Sequence, residues 1–119
     1  MDEEELKDRT KKLGLRVINL VNALPKSPSS DVIGRQLLRS GTSVGANYRA
    51  ACRGKSKKDF VYKLEIAIEE ADESLYWLEL IVEAGILPEE RLTALMQECD
   101  EIISILTASA KTTRKSVSK

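Results

Sequence analysis

The chain has 119 residues, of which 42% are hydrophobic and 32% charged, and its 19 basic and 19 acidic residues leave no formal net charge. This size and composition predict one soluble, helix-rich domain with a modest core, and no apolar run approaches the roughly 18 residues that span a bilayer. The chain contains no histidine and no phosphate-binding or nucleophile motif, so we expect a protein that is not an enzyme and that needs no metal or cofactor.

The N-terminus and the cysteines indicate a cellular location. The chain begins MDEEE, unlike the basic start of a signal peptide, so we expect a cytoplasmic protein with no membrane partner. Cys52 and Cys99 are too few and too far apart for a disulfide framework or a CxxC metal site. Both are expected to be free thiols.

Apolar residues recur at helical spacing in four segments, and the first covers residues 3–23. Its apolar stripe consists of Leu6, Leu13, Val17, Leu20, Val21 and Leu24. The acidic residues 2–5 suit a helix N-terminus, because the helix dipole is positive there. Two prolines in the polar stretch after Leu24 then predict an extended connection.

The second helix is predicted over residues 31–53, with Ser30 or Asp31 as its N-cap. Small residues lie along one side of it, and we call the three glycines among them the glycine seam: Gly34, Gly41 and Gly45. Each interior glycine costs about 1 kcal/mol relative to alanine, so a structural reason is expected. Two compatible explanations are a kink or break around residues 41–43 and the close approach of a neighbouring helix.

The third helix is predicted over residues 57–84. Residues 56–59 resemble a capping box before it, and Gly85 has the position of the C′ residue after it. Its core stripe is expected to contain Phe60, Leu64, Ala67, Ile68, Ala71, Leu75, Leu78 and Val82.

The fourth helix is predicted over residues 88–110, with Pro88 in its first turn. Four amphipathic helices joined by short links predict an all-α, antiparallel up-down-up-down four-helix bundle over residues 1–110. The basic, Ser/Thr-rich residues 111–119 are expected to form a flexible tail.

Charges are sorted along the chain. Residues 35–63 contain eight bases and one acid, whereas residues 64–90 contain nine acids and no base. On the second helix, one arc of roughly 80° opposite the apolar face carries four arginines: Arg35, Arg39, Arg49 and Arg53. The lysines that follow continue this basic ridge: Lys55, Lys57 and Lys58.

The basic ridge has two interpretations. Guanidinium groups suit phosphate oxygens, so it can bind the backbone of structured RNA or DNA. Alternatively, its arginines are solvated, or pair with carboxylates of the same or another subunit.

The third helix carries a second apolar strip away from its predicted core face: Tyr62, Ile66, Trp77 and Leu80. Such a strip is unusual on the surface of a monomer, so it predicts a subunit interface. The alternative is wide burial inside the bundle.

Four segments are distinctive in combination: LPK at 24–26, RSGTSVGANYRAA at 39–51, EEADESLYWLEL at 69–80 and TTR at 112–114. With them the chain resembles the bacterial four-helix-bundle proteins of the 23S rRNA intervening-sequence family. The resemblance implies an antiparallel four-helix bundle that assembles as a ring-shaped homopentamer. It also implies a likeness to the accessory protein of diversity-generating retroelements, a pentameric barrel to which nucleic-acid binding is attributed. It supplies no catalytic residues and no settled biochemical role.

These observations together favour a non-enzymatic, homo-oligomeric nucleic-acid-binding or scaffold protein that uses the basic surface of its second helix. The alternative is a protein–protein interaction module that binds no nucleic acid. In that case the arginines of the basic ridge are used in salt bridges between subunits.

Overall fold

The computed structural model describes residues 1–117 of the chain, which form four long helices. These are α1 (Glu3–Asn22), α2 (Pro28–Cys52), α3 (Lys57–Glu83) and α4 (Thr93–Val117), with one 3-10 turn at Glu89–Arg91. Helix α2 packs against α1 and α3, and α4 packs against α3, in a bundle of 51 × 21 × 21 Å. The prediction of an all-α, antiparallel four-helix bundle is confirmed. Within residues 1–117, no helix is both long and apolar enough to cross a membrane.

The core is rich in leucine, and every helix contributes to it. Leu13, Leu37, Leu64 and Leu106 are completely buried. Each fully buried leucine contributes about 1.5–3 kcal/mol relative to an exposed one. Helices α1 and α4 touch only lightly, and Arg9 of α1 connects them through two hydrogen bonds to the Glu98 carboxylate, of 2.6 and 2.7 Å.

Helix α2 begins three residues earlier than predicted. The Ser27 hydroxyl accepts a hydrogen bond from the Ser30 amide at 3.1 Å and so caps the helix. Pro28 occupies the first turn, where a missing N–H is not needed. The prediction that Ser30 or Asp31 caps the helix is therefore wrong, because both lie inside its first turns.

The glycine seam marks a close approach of α1 and α2. Helix α2 is continuous through residues 41–43, so no break forms there. A Cβ atom on Gly41 would lie 2.7 Å from Val17 Cγ2, and one on Gly45 would lie 3.2 Å from the Thr10 carbonyl oxygen. Only glycine allows this helix spacing, so the explanation by close approach is confirmed.

Both ends of α3 match the sequence signals. The Ser56 hydroxyl accepts from the Asp59 amide at 3.1 Å, whereas the Asp59 carboxylate accepts from Lys55 N at 3.3 Å instead of closing a full capping box. At the other end, Gly85 has a φ of 70°. The amides of Gly85 and Ile86 donate back to carbonyls of α3 at 3.0 Å, which is a Schellman motif.

The buried face of α3 differs in part from the predicted stripe. Half of that stripe is only partly buried: Phe60, Ile68, Leu75 and Val82. Three residues outside it are enclosed instead: Val61, Ser74 and Ile81. The reason is that α3 lies between α2 and α4, and therefore buries both of its flanks.

The fourth helix starts and ends later than predicted. Pro88 is extended, with a ψ of 145°, and a 3-10 turn precedes the α-helix. Residues 111–117, predicted as a flexible tail, continue α4, and residues 118–119 lie outside the described residues. Two contacts hold the last turns along α3: Arg114 Nη2 lies 3.4 Å from Glu65 Oε2, and Lys57 Nζ contacts Ser116 Oγ. Bases also suit the negative end of the helix dipole.

Candidate functional site

Antiparallel packing gathers bases from three helices at one end of the bundle, where α2 and α4 end and α3 begins. We define the basic end by its exposed cations: Arg49, Arg53, Lys55, Lys57, Lys58, Lys111 and Lys115. The opposite end presents exposed acids: Glu79, Glu83, Glu89 and Glu90. A chain with no net charge therefore folds into an elongated bundle with a strong separation of charge.

The start of α1 also brings acidic residues to the basic end. Three of these acids pair within α1 itself: Lys7 Nζ lies 3.1 Å from Glu3 Oε2 and 3.5 Å from Glu4 Oε1, and Lys12 Nζ lies 2.8 Å from Asp8 Oδ2. The five bases from residue 49 to residue 58, in contrast, form no ion pair with any residue in the described part of the chain. Their charges are consequently available to a polyanion.

Arg49 and Arg53 form one wall of a groove between α1 and α2. The groove has a volume of about 500 Å³, and its floor consists of small residues: Gly14, Thr42, Gly45 and Ala46. Lys7 and Lys11 line it from the side of α1, together with two carboxylates. Gly14 and Gly45 have no side chains to fill the groove, and the two arginines line it beside them.

Arg39 has different surroundings from the other arginines of the basic ridge. Its Nη1 atom lies 2.9 Å from Glu70 Oε2, and its Nη2 atom contacts Glu73 Oε2. The Trp77 indole also donates to Glu73, at 2.9 Å. This hydrogen bond and the Arg39 charge lower the pKa of Glu73, and the Glu73 contact raises the pKa of Arg39. Arg39 thus joins α2 to α3.

Arg35 lies on α2 about 21 Å from Arg49, at 1.5 Å per residue. It borders a smaller cleft of about 180 Å³ that Lys26 and Asp31 also line. The predicted basic ridge is therefore divided into three environments, and only its last part joins the basic end.

The second apolar strip of α3 is also divided. Tyr62 is 61% exposed, whereas Ile66, Trp77 and Leu80 are half-buried. Trp77 packs against the core cluster and its indole nitrogen is hydrogen-bonded to Glu73. The role of these residues as a subunit interface stays a prediction.

The two thiols are free and show no sign of activation. Cys99 is completely buried, and burial raises its pKa to about 12. Burial also raises the pKa of Cys52. Both groups are therefore neutral at pH 7 and pack as small apolar side chains. Between residues 1 and 117, no group of three or more metal-ligating side chains of the His, Cys, Asp or Glu type comes together.

A family model described as "23S rRNA-intervening sequence protein" matches residues 3–108, which include almost the whole bundle. The chain belongs to the 23S rRNA-intervening sequence protein family. A crystal structure of a protein of unknown function from the S23 ribosomal protein family of Bacteroides thetaiotaomicron is similar to it, with a TM-score of 0.84 and 37% identity. The match covers 89% of this chain and 98% of that one. No curated protein matches the chain.

For this member of the 23S rRNA-intervening sequence protein family, sequence patterns found most of the basic end but missed two residues. Lys111 and Lys115 were placed in a tail, whereas they lie on the last turns of α4. The ion pairs of Arg39 agree with the alternative that ridge arginines pair with carboxylates of the same subunit, but sequence patterns did not identify the carboxylates. Their signal was the i, i+3 spacing of Glu70 and Glu73, which puts two carboxylates on one flank of α3.

Proposed function

We propose that this protein is a cytoplasmic, non-enzymatic homo-oligomer that binds nucleic acid through the basic end of the bundle. One observation carries the proposal: the five bases from Arg49 to Lys58 are exposed and have no carboxylate partner within the described residues. Structural roles account for other bases of the chain, such as Arg9 and Arg39. They do not account for this group, apart from Lys57, which contacts the Ser116 hydroxyl of α4.

The expected mode of binding is contact with phosphates. Lysine and arginine release condensed counterions from a nucleic acid, so the logarithm of the affinity falls with the logarithm of the salt concentration, with a slope of about −0.9 per contact. Five contacts would reduce the affinity by about 500-fold between 50 and 200 mM salt. Base readout from the ridge itself is not expected, because Tyr48 is buried in the core.

The proposal is tested by reversing two charges at the groove. The variant Arg49→Glu/Arg53→Glu removes two phosphate contacts, so its salt slope should be about two units shallower and its affinity at least tenfold lower. Fluorescence anisotropy with a labelled RNA hairpin at several salt concentrations measures both quantities. The matched control is Arg39→Gln, which removes an arginine of the same ridge and should leave binding unchanged. Equal binding by wild type and the double variant would reject the proposal.

A second candidate is a protein-interaction module, and the ion pairs of Arg39 with Glu70 and Glu73 favour it. If carboxylates of adjoining subunits take up Arg49 and Arg53 in the same way, the double reversal dissociates the assembly. No nucleic acid would then bind to the wild type. Sedimentation velocity on the wild type and the double variant distinguishes this outcome. The family resemblance favours a pentamer, and the half-buried Ile66 and Leu80 are the proposed contacts between subunits.

A further inference from the structure

Two tyrosines of α3 project from the bundle into solvent. Tyr62 is 61% exposed and Tyr76 is 52% exposed, whereas Tyr48 of α2 is 5% exposed. Fourteen residues separate the two exposed tyrosines along α3, or about 21 Å. Their side chains have the same chemistry and almost the same exposure. Only their surroundings differ.

Tyr62 stands among cations of the basic end. Lys58 lies one turn before it on the same face of α3, the spacing at which helical side chains are neighbours. Lys63 Nζ lies 5.8 Å from the centroid of the Tyr62 ring. Of the two acids one turn away, Asp59 accepts a hydrogen bond from a backbone amide at 3.3 Å, and Glu65 lies 3.4 Å from a guanidinium group of α4. A phosphate beside the ring would therefore meet two lysines, and both nearby carboxylates already have a hydrogen-bond or ion-pair partner.

Tyr76 stands among acids. Asp72 and Glu73 lie one turn before it, and Glu79 lies one turn after it. The ring also makes an edge-on contact with Trp77, with a centroid separation of 5.1 Å and an interplanar angle of 70°. Because Glu73 is paired with a guanidinium group of α2, the carboxylates that a nucleotide's phosphate would meet at this ring are Asp72 and Glu79, which form no ion pair within the described residues. Tyr76 is thus an internal control for an exposed tyrosine without a basic environment.

We propose that Tyr62 stacks on one unpaired base of a single-stranded nucleic acid whose phosphates lie on the basic end. This inference rests on the proposed function and names the class of ligand that it favours. An aromatic ring stacks on any base because every base has a π face, and a base inside a duplex is not free to leave its neighbours. The inference moves Tyr62 from the predicted subunit interface to the nucleic-acid site.

The test compares three substitutions in binding to two probes. The probes are a labelled 12-nucleotide single strand of mixed sequence and the blunt duplex of the same sequence. Tyr62→Ala should weaken binding of the single strand by roughly 5- to 150-fold, the range of base–aromatic stacking. It should leave duplex binding within twofold of wild type. Tyr62→Phe retains the ring and should retain the affinity, and Tyr76→Ala should match wild type on both probes.

The outcomes separate this inference from the function on which it rests. If wild type binds both probes and Tyr62→Ala binds them as Tyr76→Ala does, stacking is rejected and the phosphate-binding function survives. If wild type binds neither probe, both proposals are rejected. Sedimentation of Tyr62→Ala is the remaining check. An assembly smaller than that of wild type would assign Tyr62 to a subunit interface and reject the inference.

Discussion

The middle and the end of helix α2 carry arginines on the same face, but their surroundings give them different roles. In the middle, Arg39 faces α3 and is held by Glu70 and Glu73. At the end, Arg49 and Arg53 stand at the edge of an open groove and form no ion pair with a described residue. The role of an arginine is therefore determined by the helix opposite it and not by its position on the helical wheel.

The middle of α2 packs against neighbouring helices on both flanks, so this part of the helix contributes mainly to the stability of the fold. Gly41 meets α1 on one flank, and Ser40 meets Ser74 of α3 on the other, with 2.9 Å between the two hydroxyl oxygens. Substitutions there should change stability. Substitutions at the basic end should change binding and leave stability nearly unaltered.

The largest effect on stability is expected for Gly41→Ala. The new Cβ would lie 2.7–3.0 Å from three atoms of the stiff Val17 side chain, so α1 must shift and the free energy of unfolding should fall by about 1–3 kcal/mol. Gly14→Ala is the matched control. Its Cβ would make ordinary contacts of 3.7 Å or more, and the better helix propensity should stabilise the protein by up to about 1 kcal/mol. Urea unfolding measures both values, and a Gly41→Ala variant as stable as wild type or more stable would contradict a close approach at Gly41.

A smaller loss is expected at the hydroxyl pair between α2 and α3. Ser74→Ala removes the neighbour of the buried Ser40 hydroxyl, which leaves Ser40 with a long contact of 3.4 Å to the Leu37 carbonyl. The expected loss is about 1 kcal/mol. In a double-mutant cycle, Ser40→Ala/Ser74→Ala should be less destabilised than the sum of the single variants. Additive losses would show that the two hydroxyls do not interact.

The smallest effect is expected from Glu73→Gln, because the ion pair is partly exposed. The folded-state pKa of Glu73 lies below its ordinary value of 4.5, so its contribution to stability is present above pH 4.5 and is lost as the pH falls through the folded-state pKa. At pH 7 the variant should lose about 0.5–1 kcal/mol. This difference from wild type should shrink as the pH falls below 4.5 and through the folded-state pKa. A difference that stays constant with pH would assign the loss to packing.

Local sequence signals predicted the elements of the fold well. Helical spacing of apolar residues identified four helices, and Gly85 marked the end of α3 because a left-handed residue is needed there. The start of α4 was missed, since Pro88 suits either the first turn of a helix or the extended residue before it. The end of α4 was missed because contacts with Glu65 and Lys57 of α3 hold a polar segment that would fray if it were alone.

The candidate site was predictable only in part, because it depends on how the helices align. The wheel of α2 placed four arginines on one face, but the register of α2 against α3 decides that Arg39 meets two carboxylates. The spacing of residues within either helix does not indicate how the two helices are aligned. In the same way, Lys111 joins the basic end because α4 continues past residue 110 along α3.

Lysine footprinting tests the central claim most directly. Brief acetylation with and without a bound RNA hairpin, read by mass spectrometry, reports which lysines the nucleic acid covers. The account predicts strong protection of Lys55 and Lys58 at the basic end. It predicts no protection of Lys26, an exposed lysine at the opposite end of the bundle. Equal protection of all three lysines, or protection of Lys26 alone, would contradict the account.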